Sequence, residues 1–99
     1  MITLTIFDAA SQDLVEIEKW YGEAGNNPVG MRILRRLLGK FEFLMKHPKM
    51  GRLRPELGME VRSSLVKPSL IFYRLAESEI QVLRVPHHRR DIRGSMFAE

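Results

Sequence analysis

The sequence contains no cysteine, so neither a disulfide framework nor a thiolate metal site is available, and a reducing compartment is the natural expectation. Apolar residues never run long enough to cross a bilayer, and the stretch Met1 to Asp8 has neither a basic leader nor a secretory apolar core. The expected location is therefore the cytoplasm. Glycine and proline are sparse, at 7 and 5 residues, which argues against a low-complexity or disordered chain. A glycine-rich phosphate loop, a paired-carboxylate constellation and a Ser-His-Asp order are all missing, so the standard hydrolase readings fail. His87 and His88 are neighbours, hence on opposite sides of an extended chain, and His47 is remote in sequence. No metal site is expected, and no cofactor.

What is present is the composition of a globular protein, 44% apolar and 28% charged. A length of 99 residues predicts one domain over 1–99, burying only about 60 to 65% of its unfolded surface. The formal charge of +4 conceals an asymmetry. Residues 1–27 hold five acids and one lysine, and the remainder holds 15 basic against 7 acidic residues. Such a field steers the chain toward something acidic, whether nucleic acid, an acidic partner or a nucleotide-binding machine.

Ile2, Leu4 and Ile6 alternate with Thr3, Thr5 and Phe7 as in a strand, and Asp8 is placed to cap the helix that follows. Ala10, Leu14, Ile17, Tyr21 and Ala24 form one apolar stripe over residues 9–24, with Asp13, Glu16, Glu18, Lys19 and Glu23 largely off it. Gly25-Asn26-Asn27-Pro28 breaks this helix and starts another, with Asn27 as the expected cap and Pro28 in the first turn. The second helix runs to about His47. Its expected stripe is Met31, Leu34, Leu38, Phe41 and Met45, widened by Ile33, Leu37 and Leu44. Residues 48–59 read as an ordered basic loop, and 60–66, 69–75 and 79–85 as three strands of an antiparallel meander. The order predicts an α+β fold: an N-terminal strand, then an antiparallel two-helix hairpin packed on an antiparallel β-sheet.

The densest polar cluster is His87-His88-Arg89-Arg90-Asp91, where the chain leaves the last strand. One reading makes it a general base with phosphate-binding arginines; the other makes it a hydrogen-bonded turn and a solvated ion-pair cluster. Arg52, Arg54, Arg62, Arg74 and Arg84 lie in the loop and strands. Arg62 and Arg84 approach each other if their strands share a face, giving a basic patch as the alternative to ordinary surface charge. Trp20, Tyr21, Phe41, Phe43, Phe72 and Tyr73 are expected in the core and at its rim rather than as base-stacking platforms.

Five strings then occur in order: Ala10-x-x-Asp13-Leu14-x-x-Ile17, His47-Pro48-x-x-Gly51-Arg52-x-Arg54-Pro55-Glu56-Leu57, Arg62-Ser63, Ile71-Phe72-Tyr73-Arg74, and Arg84-Val85-x-His87-x-Arg89-Arg90-Asp91-Ile92. Together they resemble the ParE branch of the RelE/ParE toxin superfamily over nearly the whole chain. The resemblance implies two helices on an antiparallel sheet and a toxin component of a type II toxin-antitoxin system. It also implies DNA gyrase as the target, and as partner a cognate antitoxin, usually a small DNA-binding dimer. On that reading no residue is catalytic, and Arg84, His87, Arg89 and Arg90 are the expected target-binding residues. The RelE branch shares the fold but cleaves messenger RNA on the ribosome; by that alternative Arg54, Arg62, Arg84 and His87 would surround the scissile phosphate. The chain has no tyrosine after Tyr73, so the C-terminal tyrosine role of that branch cannot be filled.

Overall fold

The computed structural model describes residues 2–87, and Arg89, Arg90 and Asp91 of the expected C-terminal cluster lie outside that range. Strand β1 (Thr3–Ile6) leads into helix α1 (Asp8–Glu23), a short turn and helix α2 (Asn27–Lys46). Strand β2 (Arg52–Leu53), a 3-10 turn (Pro55–Leu57) and strands β3 (Val61–Val66), β4 (Ser69–Ala76) and β5 (Glu79–Arg84) complete it. The five strands form one sheet in the order β1-β5-β4-β3-β2.

β3, β4 and β5 make the expected antiparallel meander. β1 joins at the edge, parallel to β5, so the sheet is mixed rather than wholly antiparallel. The cause is topological: the helical hairpin carries the chain across the sheet before the meander begins, which permits parallel pairing. The hairpin covers one sheet face and encloses the main core, where Ile17, Leu37, Phe41 and Leu44 meet Ile71, Tyr73, Ile80 and Val82. On the opposite face a smaller cluster of Leu57, Val61, Phe72 and Leu83 is closed by the 3-10 turn and Phe7. None of the described helices is long and apolar enough to cross a membrane.

Several local expectations are corrected. Asp8 opens α1 instead of capping it, since Phe7 holds the cap position, and α2 is capped at Asn26 rather than Asn27 without a side-chain hydrogen bond. The buried face of α2 is Gly30, Ile33, Leu37, Phe41 and Leu44, while Met31 and Leu38 are exposed. The helix is turned so that the residues expected to widen the stripe form its centre. Gly30 explains the turn: a Cβ there would stand 2.9 Å from the Cβ of Tyr21, so only the glycine face lets the two helices approach so closely. Of the aromatics, Tyr21, Phe41, Phe72 and Tyr73 are buried, whereas Trp20 and Phe43 are 52% and 39% exposed.

Candidate functional site

The polar groups of the fold concentrate at the C-terminal end of β5, where it passes α1. Asp13, expected off the apolar stripe, is only 7% exposed. It sits three residues after Ala10 and four before Ile17, so it shares their inward face. Burial of a carboxylate requires compensation, and Asp13 has it. Arg84 Nε donates to Oδ2 at 2.8 Å and Arg84 Nη2 to Oδ1 at 2.9 Å, while the Val85 amide donates to Oδ2 at 2.8 Å. The bidentate bond to Asp13 raises the pKa of Arg84 above its ordinary value, against the opposing effect of burial, with Glu16 adding to the attraction. One carboxylate thus ties the first helix to the last strand.

His87 lies just beyond this pair and is 8% exposed. Its Nδ1 is 2.9 Å from Ser69 Oγ and its Nε2 2.9 Å from Tyr21 Oη, so both ring nitrogens face hydroxyls. The ring also meets Tyr21 edge-on, with centroids 5.2 Å apart. Beside it a cleft of about 110 Å³ is lined by Asp13, Glu16, Ile17, Trp20, Val85, Pro86 and His87. This cleft combines carboxylates with an exposed indole at the point where the described chain ends.

The other expected site residues are held elsewhere. Arg62 donates to the carbonyls of Lys49 (3.2 Å) and Gly51 (2.9 Å), bracing the segment that follows α2. Tyr73, its cross-strand neighbour, completes that brace: its hydroxyl donates to Pro48 O at 2.9 Å and accepts from the Gly51 amide at 2.8 Å. Burial raises the pKa of the Tyr73 phenol. Arg54 lies on the opposite sheet face, 5.7 Å from the centroid of Phe72, with Nε donating to Glu56 Oε2 at 2.7 Å. That hydrogen bond lowers the pKa of Glu56. The residues 48–59, expected as a loop, therefore contain a strand, a 3-10 turn and a tyrosine-anchored bend.

Arg54, Arg62, Arg84 and His87 do not converge on one point. Arg54 is separated from the rest by the sheet itself, and β4 runs between the strands of Arg62 and Arg84. Within the described chain the expected patch from Arg62 and Arg84 is replaced by two separate anchors, each bound to its own acceptors. Sequence reasoning missed Tyr21, Ser69 and Tyr73 as polar partners. Their signal was weak, because a hydroxyl on an apolar stripe reads as core until its acceptor is known.

The family model for the ParE toxin of type II toxin-antitoxin systems, parDE, matches residues 4–92. The chain belongs to the ParE toxin family. A solved structure described as the chromosomal ParDE toxin-antitoxin system from P. aeruginosa superposes with a TM-score of 0.76, covering 90% of this chain and 98% of that chain at 22% identity. At that identity the likeness establishes the fold. None of the curated proteins compared with the sequence matches it. In this ParE-family chain, Asp13, Arg84 and His87 fix the C-terminal end of β5 against α1.

Proposed function

We propose that the chain arrests growth by binding DNA gyrase and blocking it without chemistry of its own, and that a cognate antitoxin neutralises it. The observation that carries this reading is the ParE family match across residues 4–92. The polar geometry is in keeping with it. A ribonuclease needs a proton acceptor and phosphate-binding cations around one atom. Here Arg54 and Arg62 stand on opposite faces, and Arg84 is neutralised by Asp13.

Of the target-binding residues, Arg84 and His87 act by positioning the end of β5, and Arg89 and Arg90 supply charge that meets the target. The antitoxin, by the habit of the family a small DNA-binding dimer, supplies acidic and apolar surface to a basic toxin. The test is a supercoiling assay with purified gyrase. The chain is expected to inhibit, the antitoxin to restore activity, and the pair Arg89→Glu and Arg90→Glu to weaken inhibition at least several-fold. Inhibition unchanged by the charge reversals would remove that surface from the account. Absence of inhibition by folded protein, with new messenger RNA 5′ ends after induction, would replace the gyrase reading by ribosome-dependent cleavage.

A further inference from the structure

One flank of α2 carries cations and aromatic rings in a single row. Arg32, Arg36, Lys40, Phe43 and His47 follow at spacings of four, four, three and four, which places them within about 80° of one another around the helix. Glu42, the one carboxylate of α2, lies roughly a third of a turn away. Among the described residues no carboxylate stands within ion-pair distance of Arg32, Arg36 or Lys40. Arg36 donates through Nη1 to Lys67 O at 3.0 Å, and its guanidinium has further donors to offer.

Phe43 is held in the open within this row, 39% exposed. Lys40 Nζ lies 5.1 Å from its centroid, and the His47 ring 4.8 Å away at a tilt of 42°. Beside it a groove of about 370 Å³ is lined by Arg36, Gly39, Lys40, Phe43, Leu65 and Val66, with no carboxylate among them. That volume is in the range of sites for small flat ligands. Nothing lies within 4 Å of where a Cβ on Gly39 would stand, so a planar ring can approach Phe43 past that position. Cations in a row recruit phosphates, and an exposed ring among them recruits the face of an unpaired base. A duplex answers only the first demand, since its base faces are already stacked on one another.

We propose that this flank of α2 is a binding site for single-stranded DNA, with one base stacked on Phe43 in the groove and the adjoining phosphates on Arg32, Arg36 and Lys40. The base takes the place of the Lys40 ammonium on the phenyl ring, and the ammonium, at the end of a flexible stem, moves to a phosphate. From Arg32 to Phe43 the helix rises about 16 Å, enough for a few nucleotides. A second copy of the chain would bring like charges together on this flank. The choice of DNA over RNA rests on the gyrase half of the proposed function, because that target holds DNA; the stacking and charge geometry do not depend on it.

The probe is a fluorescein-labelled oligodeoxythymidylate of about 12 nucleotides, followed by anisotropy with the full-length chain. Binding is expected with a Kd of about 10 µM at low salt, weakening with a log-log salt slope of about 2, as for three phosphates on a single strand. Arg36→Ala combined with Lys40→Ala should lower that slope by about 1.4. Phe43→Leu keeps an apolar side chain and loses the stacking face, and should weaken binding about tenfold. Gly39→Leu sets a side chain in the groove, so binding should fall about tenfold while the thermal midpoint holds or rises, a split that a merely structural role would not give. A duplex of the same length should bind several-fold more weakly than the single strand, despite its higher charge density. No binding at millimolar oligonucleotide, or a duplex bound as tightly as the single strand, overturns the proposal. Affinity unchanged in Phe43→Leu leaves only charge, which any acidic polymer satisfies, and also overturns it. Tighter binding of the matched oligouridylate assigns the flank to RNA and does the same. If Phe43→Leu does not fold, the single-strand preference of the unaltered chain decides. Oligonucleotide binding by a chain that leaves gyrase active would count against the proposed function and leave the single-strand site standing, and gyrase inhibition without oligonucleotide binding would do the reverse.

Discussion

Asp13 and Arg84 are separated by 71 positions in the chain, and their bond is the longest-range polar contact among the side-chain pairs described above. Truncating one partner strands the other in a buried site, which is worse than removing both. Arg84→Ala is expected to lower stability by about 3 kcal/mol, read from the urea midpoint, because Asp13 would keep only the Val85 amide as a donor. Arg84→Lys keeps the charge but loses the two-pronged geometry and should recover only part of the loss. Tyr73 gives a second test at this scale. Tyr73→Phe leaves the buried Gly51 amide without its acceptor and should cost about 1–2 kcal/mol. Its pH dependence has a defined sign. Since the folded pKa is raised, the contribution is fully present below the unfolded value of about 10 and is lost as pH rises through the folded one. Alkaline denaturation monitored by circular dichroism should therefore be steeper for the wild type than for Tyr73→Phe.

The helices and the three long strands were legible because each carries many residues of one period. Ile80 and Val82 in β5, or Ile17 and Tyr21 in α1, repeat a pattern that needs no partner to be read. β2 was not legible: Arg52 and Leu53 are extended because they pair with Ser63 and Arg62, a tertiary fact with no periodic trace in two residues. The direction of β1 was hidden for a related reason, since alternation gives a strand its faces and not its neighbour. The rotation of α2 was recoverable only through Gly30, and two glycines in that helix now make opposite predictions. Gly30→Ala would press a methyl group on Tyr21 and should cost about 1–3 kcal/mol despite better helix propensity. Gly39→Ala meets nothing within 4 Å and should stabilise by up to about 1 kcal/mol. Thermal unfolding of the two variants side by side checks both.

At the scale of the molecule, the acidic first quarter and basic remainder seen in the sequence are drawn together at one point, where Asp13 of α1 neutralises Arg84 of β5. The candidate site was only half legible for that reason. Arg84 and His87 stood out by position and chemistry, yet their partners Asp13 and Tyr21 come from α1 and Ser69 from β4. Those partners hold Arg84 and His87 against α1 and β4, while the cations of α2 such as Arg32, Arg35 and Lys46 remain on the surface. The proposed growth arrest rests accordingly on binding and not on bond cleavage. The most direct test is the topology of a reporter plasmid in cells after the chain is induced, with messenger RNA 5′ ends mapped in the same samples. Gyrase inhibition should accumulate relaxed topoisomers before growth stops, with no new 5′ ends. Unchanged superhelicity together with new cleavage sites in translated messages would contradict it.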